Sequence, residues 1–264
     1  MSESKLPAGE KGGRELSLSL KKAMAILRCF THDEPQLTLS NIVALTGIAR
    51  TICYRLLSTF EEDGVIGRDE STNRYFLTTS LFEIGSGAPT ISTIVKTATP
   101  HMSALSAQTH DTVLLIVENR LEATCLARID GEFPIQQNAL TVGKSWPLHV
   151  GGAPFCILSY LPVEQRERVL SKPLRAFTSH TVTDPVRIRD RIEEVRGQGY
   201  AVGNEDAIDY LVAVGTPIFG KDQQIAGALS VGGITQPYPE SRIREVAAIA
   251  IQTADLITAE LQAA

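Results

Sequence analysis

A group of hydrogen-bonding side chains without a nearby carboxylate lies between positions 50 and 58. Thr51, Tyr54, Arg55 and Ser58 recur at the three- and four-residue spacing that places side chains on one face of a helix, and Arg50 stands near its start. No acidic residue follows until position 61. Such a face suits phosphate oxygens and the acceptor-bearing base edges of the major groove. We therefore predict that this helix contacts double-stranded DNA.

Two further arginines follow at Arg68 and Arg74, each on a short apolar stretch that we predict to be a strand, at residues 65–68 and 74–77. The polar residues 69–73 join the two stretches as a hairpin tip. A basic β-ribbon of this kind contacts the phosphate backbone and positions a protein on DNA without reading much sequence. We include both arginines in the predicted DNA-binding surface.

These side chains require a helix, a tight turn and a second helix to position them. Thr38 is a plausible N-cap, Gly47 supplies the backbone freedom of the turn, and Gly64 ends the second helix. The expected apolar face of the first helix consists of Ile42, Val43 and Leu45. The expected apolar face of the second helix consists of Cys53, Leu56, Leu57 and Phe60.

The string TGIARTICYRLLSTFEEDGVI, followed by Arg74 and Tyr75, resembles the winged helix–turn–helix of the IclR family of bacterial transcription regulators. Three later segments resemble family motifs: residues 147–153, residues 199–205 and residues 228–233. The resemblance extends over about residues 18–261. It implies a GAF-like effector-binding domain in the second half of the chain.

We predict an α+β protein with three parts. Residues 17–84 are the winged helix–turn–helix domain, residues 85–110 a linker helix, and residues 111–264 the effector-binding domain. The linker carries an apolar stripe that we interpret as a packing and dimer seam, and Pro100 should kink or break it. Strands are expected at residues 112–118, 122–129, 211–219 and 225–231. A helix should begin at Asp184, as N-cap, and Pro185.

The segment at residues 147–153 has a chemistry of its own. A helix that starts at Gly151 offers unpaired amides and a partial positive charge, so it could bind a carboxylate without a cationic side chain. Gly151 and Gly152 lack side chains that would obstruct a close approach. The same glycines are also compatible with tight helix–strand packing alone, and the sequence leaves both interpretations open.

The family resemblance implies effector-binding positions in the second half of the chain. The predicted effector-binding residues are Asn138, His149, Gly151, Gly152, Ala153, Ala213, Ser230 and Gly232. The chain departs from the family pattern at Gly203, at Gly232 and at Pro154-Phe155. Because these departures remove polar groups and add apolar surface, we expect an effector bulkier or less polar than a two- or three-carbon keto acid, such as an aromatic or longer-chain carboxylate.

Composition limits the alternatives. The 264 residues are 43% hydrophobic and 21% charged, which is typical of a globular chain long enough for two domains. The net charge is −5, yet residues 1–86 hold ten Lys and Arg against eleven Asp and Glu. The longest apolar run, residues 246–251, is too short to span a membrane, and no signal peptide is visible. We expect a cytoplasmic protein without a cofactor, metal site or disulfide.

Two other functions were weighed. Cys156 and His149 could form a nucleophile and base, but Cys156 lies in an apolar run without an activating motif, so we predict no enzyme activity. A sensor or scaffold protein that does not bind DNA is the other alternative. The prediction that we favour is a homodimeric or homotetrameric regulator, a repressor rather than an activator, whose operator affinity changes when an organic acid binds.

Overall fold

The computed structural model describes residues 16–31, 33–132, 141–234 and 238–263. Its contacts divide the chain into two units, Met1–Glu83 and Ile84–Ala264. In the first unit and at its end lie α1 (Leu18–Leu27), β1 (Gln36–Leu37), α2 (Leu39–Thr46), α3 (Arg50–Glu62), β2 (Ile66–Asp69), β3 (Arg74–Leu77) and α4 (Ser80–Ser86).

The turn between α2 and α3 forms as the sequence predicts. The Thr38 hydroxyl accepts the Asn41 backbone N–H at 3.2 Å, and the Asn41 side chain accepts the Thr38 N–H in return, a reciprocal cap at the start of α2. Gly47 ends α2 with φ 66°, in the left-handed region. Gly64, with φ 69°, follows the end of α3.

The core of the first unit gathers one face from each of α1, α2, α3 and the three strands, and includes Ile26, Ile42, Cys53, Leu57 and Tyr75. The expectation for Leu45 was wrong, because this side chain is 58% exposed. The helix α2 packs on the core through the buried Ile42 and the half-buried Leu39 and Val43.

The wing has one strand more than the hairpin that the sequence predicts. The two-residue β1 pairs antiparallel with β3, with Leu37 opposite Tyr75, and β2 pairs with the other edge of β3. The strand β1 is too short for its residues to show an alternating pattern. It nevertheless ties the segment before α2 to the wing.

The second unit carries the remaining elements. They are α5 (Pro89–Thr109), β4 (Thr112–Asn119), β5 (Glu122–Ile129), β6 (Ser145–Pro147), α6 (Gly152–Tyr160), α7 (Val163–Leu170), α8 (Pro185–Gln198), β7 (Ala201–Asn204), β8 (Leu211–Phe219), β9 (Ile225–Ile234) and α9 (Glu240–Ala263). The Asp184 carboxylate accepts the Val186 N–H at 2.9 Å, so the predicted start of α8 is confirmed.

Six strands of this unit form one antiparallel sheet in the order β6-β5-β4-β9-β8-β7. One apolar cluster joins the sheet to α5 and α9 and includes Met102, Leu115 and Val246. A second cluster joins it to α6 and α8 and includes Phe155 and Ile188. The α+β fold class predicted from the sequence is confirmed.

The helix expected to be a linker is part of this second unit. Its apolar residues Ile94, Ala98, Met102 and Leu105 are buried within the chain, so the stripe packs internally. The sequence predicts a kink or a break at Pro100, and the helix continues through this residue, so the break does not occur. The expected boundary around residues 85–89 also contains the end of α4.

Three glycines allow α6 to approach the sheet more closely than any side chain would permit. A Cβ atom on Gly152 would lie 2.5 Å from the carbonyl oxygen of Ala213, and one on Gly215 would lie 2.2 Å from the carbonyl carbon of Gly152. A Cβ atom on Gly203 would lie 2.6 Å from Gly151. Backbone therefore meets backbone at the start of α6, which supports the tight-packing interpretation of these glycines.

Among the described residues, no single helix has the length and apolar character to cross a membrane. The pair α2 and α3 meets the same criteria only when the two are taken together, and they are bent by 118° at their junction. That junction is the turn of the helix–turn–helix.

Replacing Gly215 with Ala should lower the free energy of unfolding by about 1–3 kcal/mol, because the new methyl group overlaps the backbone of α6. Gly197 in α8 is the matched control: a Cβ atom there meets nothing within 4 Å. Gly197→Ala should be neutral or should stabilise the protein by roughly 0.4–1 kcal/mol. Urea unfolding of both variants measures the difference, and equal effects would contradict the packing argument.

Candidate functional sites

The first candidate site is a groove on the N-terminal unit between the start of α2, the start of α3 and the wing. Its lining residues are Thr38, Leu39, Ser40, Arg50, Thr51, Tyr54, Arg68, Asn73 and Tyr75. The fold therefore brings together Arg50, Thr51, Tyr54 and Arg68 from the predicted DNA-binding set. Tyr54 is 53% exposed, so its ring projects from α3 rather than packing into the core.

The arginines at this groove are held by neutral partners. Arg50 donates from a terminal guanidinium nitrogen to the Ser40 hydroxyl at 3.1 Å, and Arg68 donates to the Asn73 side-chain oxygen at 2.6 Å. The Arg68 guanidinium also lies 5.5 Å from the centre of the Tyr75 ring. Because these partners carry no charge, they orient the cations without neutralising them, and both guanidinium groups remain available for phosphates.

The other three predicted residues lie outside the lining of the groove. Arg74 donates to the Gln36 carbonyl oxygen at 3.2 Å, so it also fastens β3 to β1. Arg55 is exposed, and within residues 16–31 and 33–132 its side chain has no hydrogen-bond or ion-pair partner. Ser58 is only partly exposed. These positions extend the surface along α3 and the wing.

The wing tip explains the acidic residues found next to this basic surface. The Asp69 carboxylate accepts the Ser71 hydroxyl at 2.6 Å and the Ser71 and Thr72 N–H groups at 2.8 and 3.1 Å. These hydrogen bonds, with Ser71 first, hold the pKa of Asp69 below its usual value. The Asp69 carboxylate thus stabilises the turn between β2 and β3 through hydrogen bonds within the turn itself.

The second candidate site is a cavity in the C-terminal unit between the sheet and the start of α6. It encloses about 680 Å³ of empty space including its open mouth. The lining comes from β4, β5, β6, β8 and β9, from the segment before β6, from the start of α6 and from the loop before β8, and most of its side chains are apolar. Trp146 contributes an aromatic ring, and Leu114 and Ile208 contribute aliphatic side chains.

Five of the predicted effector-binding residues line this cavity, namely Gly151, Gly152, Ala213, Ser230 and Gly232. His149 and Ala153 do not. The His149 ring is buried, with Nε2 hydrogen-bonded to the Arg175 carbonyl at 3.0 Å, and Ala153 is fully buried in the core. Asn138 lies outside the described residues.

The anion position predicted at the start of α6 is taken by the protein itself. The Gly151 N–H donates to Oδ1 of Asp206 at 3.0 Å, and Asp206 is only 5% exposed. The guanidinium of Arg191 lies 3.5 Å from the other carboxylate oxygen. The Gly151 amide therefore already has a carboxylate partner within the chain, next to the partial positive charge of the helix start. Binding of an effector's carboxylate at Gly151 stays a prediction.

The polar groups of the cavity lie elsewhere on its wall. The Ser230 hydroxyl has no hydrogen-bond partner within the described ranges, although the residue is only 7% exposed. Lys144 contributes the positive charge of the lining and is half-buried. Sequence reasoning missed Lys144, because a single lysine in a segment without clear periodicity gives no signal of where it points.

Neither cysteine near this cavity is suited to nucleophilic catalysis. Burial raises the pKa of the Cys125 thiol, which lines the cavity, to about 11. Cys156 is fully buried in the core, and burial raises the pKa of its thiol far above the usual value. A thiol with a raised pKa stays protonated at neutral pH and is a poor nucleophile. Among the described residues, no three His, Cys, Asp or Glu side chains are grouped to hold a metal ion.

Comparison with known proteins settles the family. Residues 90–259 match the family description "Bacterial transcriptional regulator IclR C-terminal", and residues 19–70 match "IclR helix-turn-helix domain". The chain belongs to the IclR family of bacterial transcriptional regulators. It is therefore a transcription regulator, not an enzyme, with a DNA-binding helix–turn–helix and an effector-binding C-terminal domain.

Individual relatives extend along most of the chain. The HTH-type transcriptional regulator KipR of Bacillus subtilis is 33% identical over 223 residues, which cover 84% of this chain and 88% of KipR. The transcriptional repressor IclR of Escherichia coli is 22% identical over 243 residues, covering 91% and 88%. An IclR homologue from Microbacterium hydrocarbonoxydans, solved with 4-hydroxybenzoate, is 23% identical with TM-score 0.83, covering 93% and 100%.

Arg55 provides a direct test of the DNA-binding surface in this IclR-family protein. We expect Arg55→Gln to weaken binding to a DNA fragment from upstream of the protein's own gene by roughly tenfold. The slope of the logarithm of the binding constant against the logarithm of the salt concentration should fall in magnitude by about 1, which corresponds to the loss of one phosphate contact. Fluorescence anisotropy at several salt concentrations measures both quantities.

Arg28→Gln is the matched control, since Arg28 is an exposed arginine at the end of α1 with the same charge. The control should leave affinity and salt slope nearly unchanged. Equal losses in the two variants would mean that net charge, not the face of α3, determines the affinity.

Proposed function

We propose that this protein is a sequence-specific repressor whose affinity for its operator is set by a small carboxylate with an aromatic or long apolar body. The observation that carries the proposal is the cavity beside α6. Its lining is mostly apolar and also includes the Ser230 hydroxyl and the Lys144 side chain. Operator binding is assigned to the face of α3 together with the wing. Repression accords with the name of the E. coli relative, a transcriptional repressor.

The cavity supports an effector of this chemical class. Its lining is mostly apolar with a few polar groups, which is the character of a small-molecule site. Trp146 and the aliphatic side chains favour an apolar body, while Lys144 favours a carboxylate and the Ser230 hydroxyl offers a separate hydrogen bond. The Microbacterium relative was solved with 4-hydroxybenzoate, a ligand of the same class.

A regulator of this kind needs two states that bind DNA with different affinity. The effector shifts the population toward the state that it binds better. The free energy of this shift is at most the difference between its binding free energies for the two states. The loop that joins β7 to β8 is a suitable element for such a change, since its residues Ala207 and Ile208 line the cavity. Asp206 fastens the same loop to Gly151.

We expect the functional species to be a homodimer or homotetramer, because two reading heads on adjacent half-sites multiply specificity. Two large apolar side chains of α4, Phe82 and Ile84, are 80% and 67% exposed in the single chain. Apolar side chains this exposed are candidates for burial against a second copy.

The effector assignment is tested by the ligands themselves. In calorimetry on the full chain, 4-hydroxybenzoate and octanoate should bind with higher affinity than pyruvate or glyoxylate. Only the two larger ligands have an apolar body that can contact the apolar side chains of the cavity. Lys144→Gln should weaken carboxylate binding by roughly tenfold through the lost charge. Lys172→Gln, at an exposed lysine, is the control and should bind normally. Binding of pyruvate or glyoxylate alone would overturn the assignment.

The oligomer is tested separately by the pair of variants Phe82→Ser and Tyr210→Ser. Both remove an aromatic ring that is exposed in the single chain, 80% at Phe82 and 72% at Tyr210. We expect only Phe82→Ser to shift the mass measured by light scattering toward the monomer at low concentration. It should also weaken binding to a DNA fragment with two half-sites more than binding to one half-site. A shift of equal size in both variants, or in neither, would remove α4 from the interface.

A further inference from the structure

A second cavity lies at the opposite end of α6 from the first and shares no lining residue with it. It holds about 1000 Å³ of empty space, including the part open to solvent. The end of α6, the start of α7, one residue of α8 and the β8–β9 turn surround it. Its character differs from that of the first cavity, because two arginines, Arg166 and Arg196, line it.

These two arginines have little carboxylate compensation. The Arg166 side chain is only 12% exposed, and its nearest carboxylate oxygen is Oε1 of Glu193 at 4.0 Å. Arg196 lies 3.9 Å from the same oxygen, and Glu193 is 71% exposed. Both distances are too long for a hydrogen bond. Within the described part of the chain, the Arg166 guanidinium makes no hydrogen bond, so its donors are available to a ligand in the cavity.

Neutral donors lie at the same cavity. The Tyr160 ring packs edge-on against Phe219 at 5.2 Å, and its hydroxyl has no hydrogen-bond partner among the residues described. The helix α7 begins here after Pro162, whose side chain cannot cap it. The Gln165 and Arg166 amides donate to the Pro162 carbonyl, and the Val163 and Glu164 amides have no backbone partner among the residues described. Donors from three elements therefore converge on one space.

The Glu118 carboxylate and the Nε atom of Arg196 are hydrogen-bonded to backbone groups. Glu118 also lines the cavity, but its Oε1 accepts the Leu121 N–H at 2.6 Å in the β4–β5 turn. Arg196 uses its Nε to donate to the Ser159 carbonyl at 2.7 Å, near the end of α6, and keeps its terminal nitrogens for the cavity. Donors and positive charge thus predominate at the inner wall.

We propose that this cavity is a second ligand site, for a small dianion bound by Arg166 and Arg196. The ligand class is a phosphate or a dicarboxylate, because a guanidinium fork matches both planar and tetrahedral oxyanions with paired hydrogen bonds. The site is separate from the carboxylate site proposed above, and its test measures binding directly, so the two proposals fail independently.

Calorimetry on the full chain tests the site with inorganic phosphate and, separately, with succinate, at constant ionic strength in chloride. We expect saturable binding of at least one of them, which identifies the oxyanion that the site takes. Arg166→Gln should weaken that binding by about tenfold or more. Arg187→Gln, at an exposed arginine on α8, is the matched control and should bind like the unmodified protein.

Folding is checked in the same experiment. The Arg166 side chain donates no hydrogen bond within the described residues, so Arg166→Gln should unfold at nearly the same temperature as the unmodified protein when no anion is present. Added phosphate or succinate should then raise the unfolding temperature of the unmodified protein and of Arg187→Gln, but not that of Arg166→Gln. Absence of saturable binding by both anions, or equal binding by all three proteins, would overturn the proposal.

Discussion

The contact on which the C-terminal unit depends is the backbone-to-backbone packing of α6 on strands β7 and β8. Gly152, Gly203 and Gly215 lack the side chains that would separate the helix from the sheet. The helix is apolar and almost entirely buried, with seven of its residues in the core. Its position therefore fixes the wall of the cavity that we propose for the effector at one end and of the arginine-lined cavity at the other.

Asp206 shows how this contact combines with charge. Its carboxylate binds the Gly151 amide at the start of α6 and faces Arg191, while the Arg191 guanidinium lies 4.1 Å above the Phe155 ring. One of its oxygens, Oδ2, is buried without a hydrogen bond. A buried carboxylate of this kind is costly unless its partners stay in place. The loop between β7 and β8, which lines the cavity proposed for the effector, is thus fastened to α6 by a contact that is sensitive to small displacements.

The N-terminal unit uses charge in the opposite way. Arg50, Arg68 and Arg74 are oriented by a hydroxyl, an amide oxygen and a backbone carbonyl, none of which carries a charge. The nearby Asp69 is occupied by the wing turn. Neutral partners fix the geometry and leave the positive charge for the phosphate backbone, which is how a chain of net charge −5 can present a surface suited to DNA.

The sequence by itself determined the elements whose signals are local. The cap at Thr38, the turn at Gly47 and the start of α8 at Asp184 depend on residues within four positions of one another, and all three formed as predicted. Five of the eight predicted effector-binding residues line one cavity, and their part in effector binding stays a prediction.

What the sequence could not supply depends on contacts between distant residues. Asp206 occupies the start of α6 although it lies 55 positions from Gly151, and Lys144 lines the cavity although nothing in its own segment shows where it points. Arg166 and Arg196 meet at the second cavity for the same reason. Side-chain periodicity identifies the face of a helix or strand, but only the packed sheet and helices decide which faces meet.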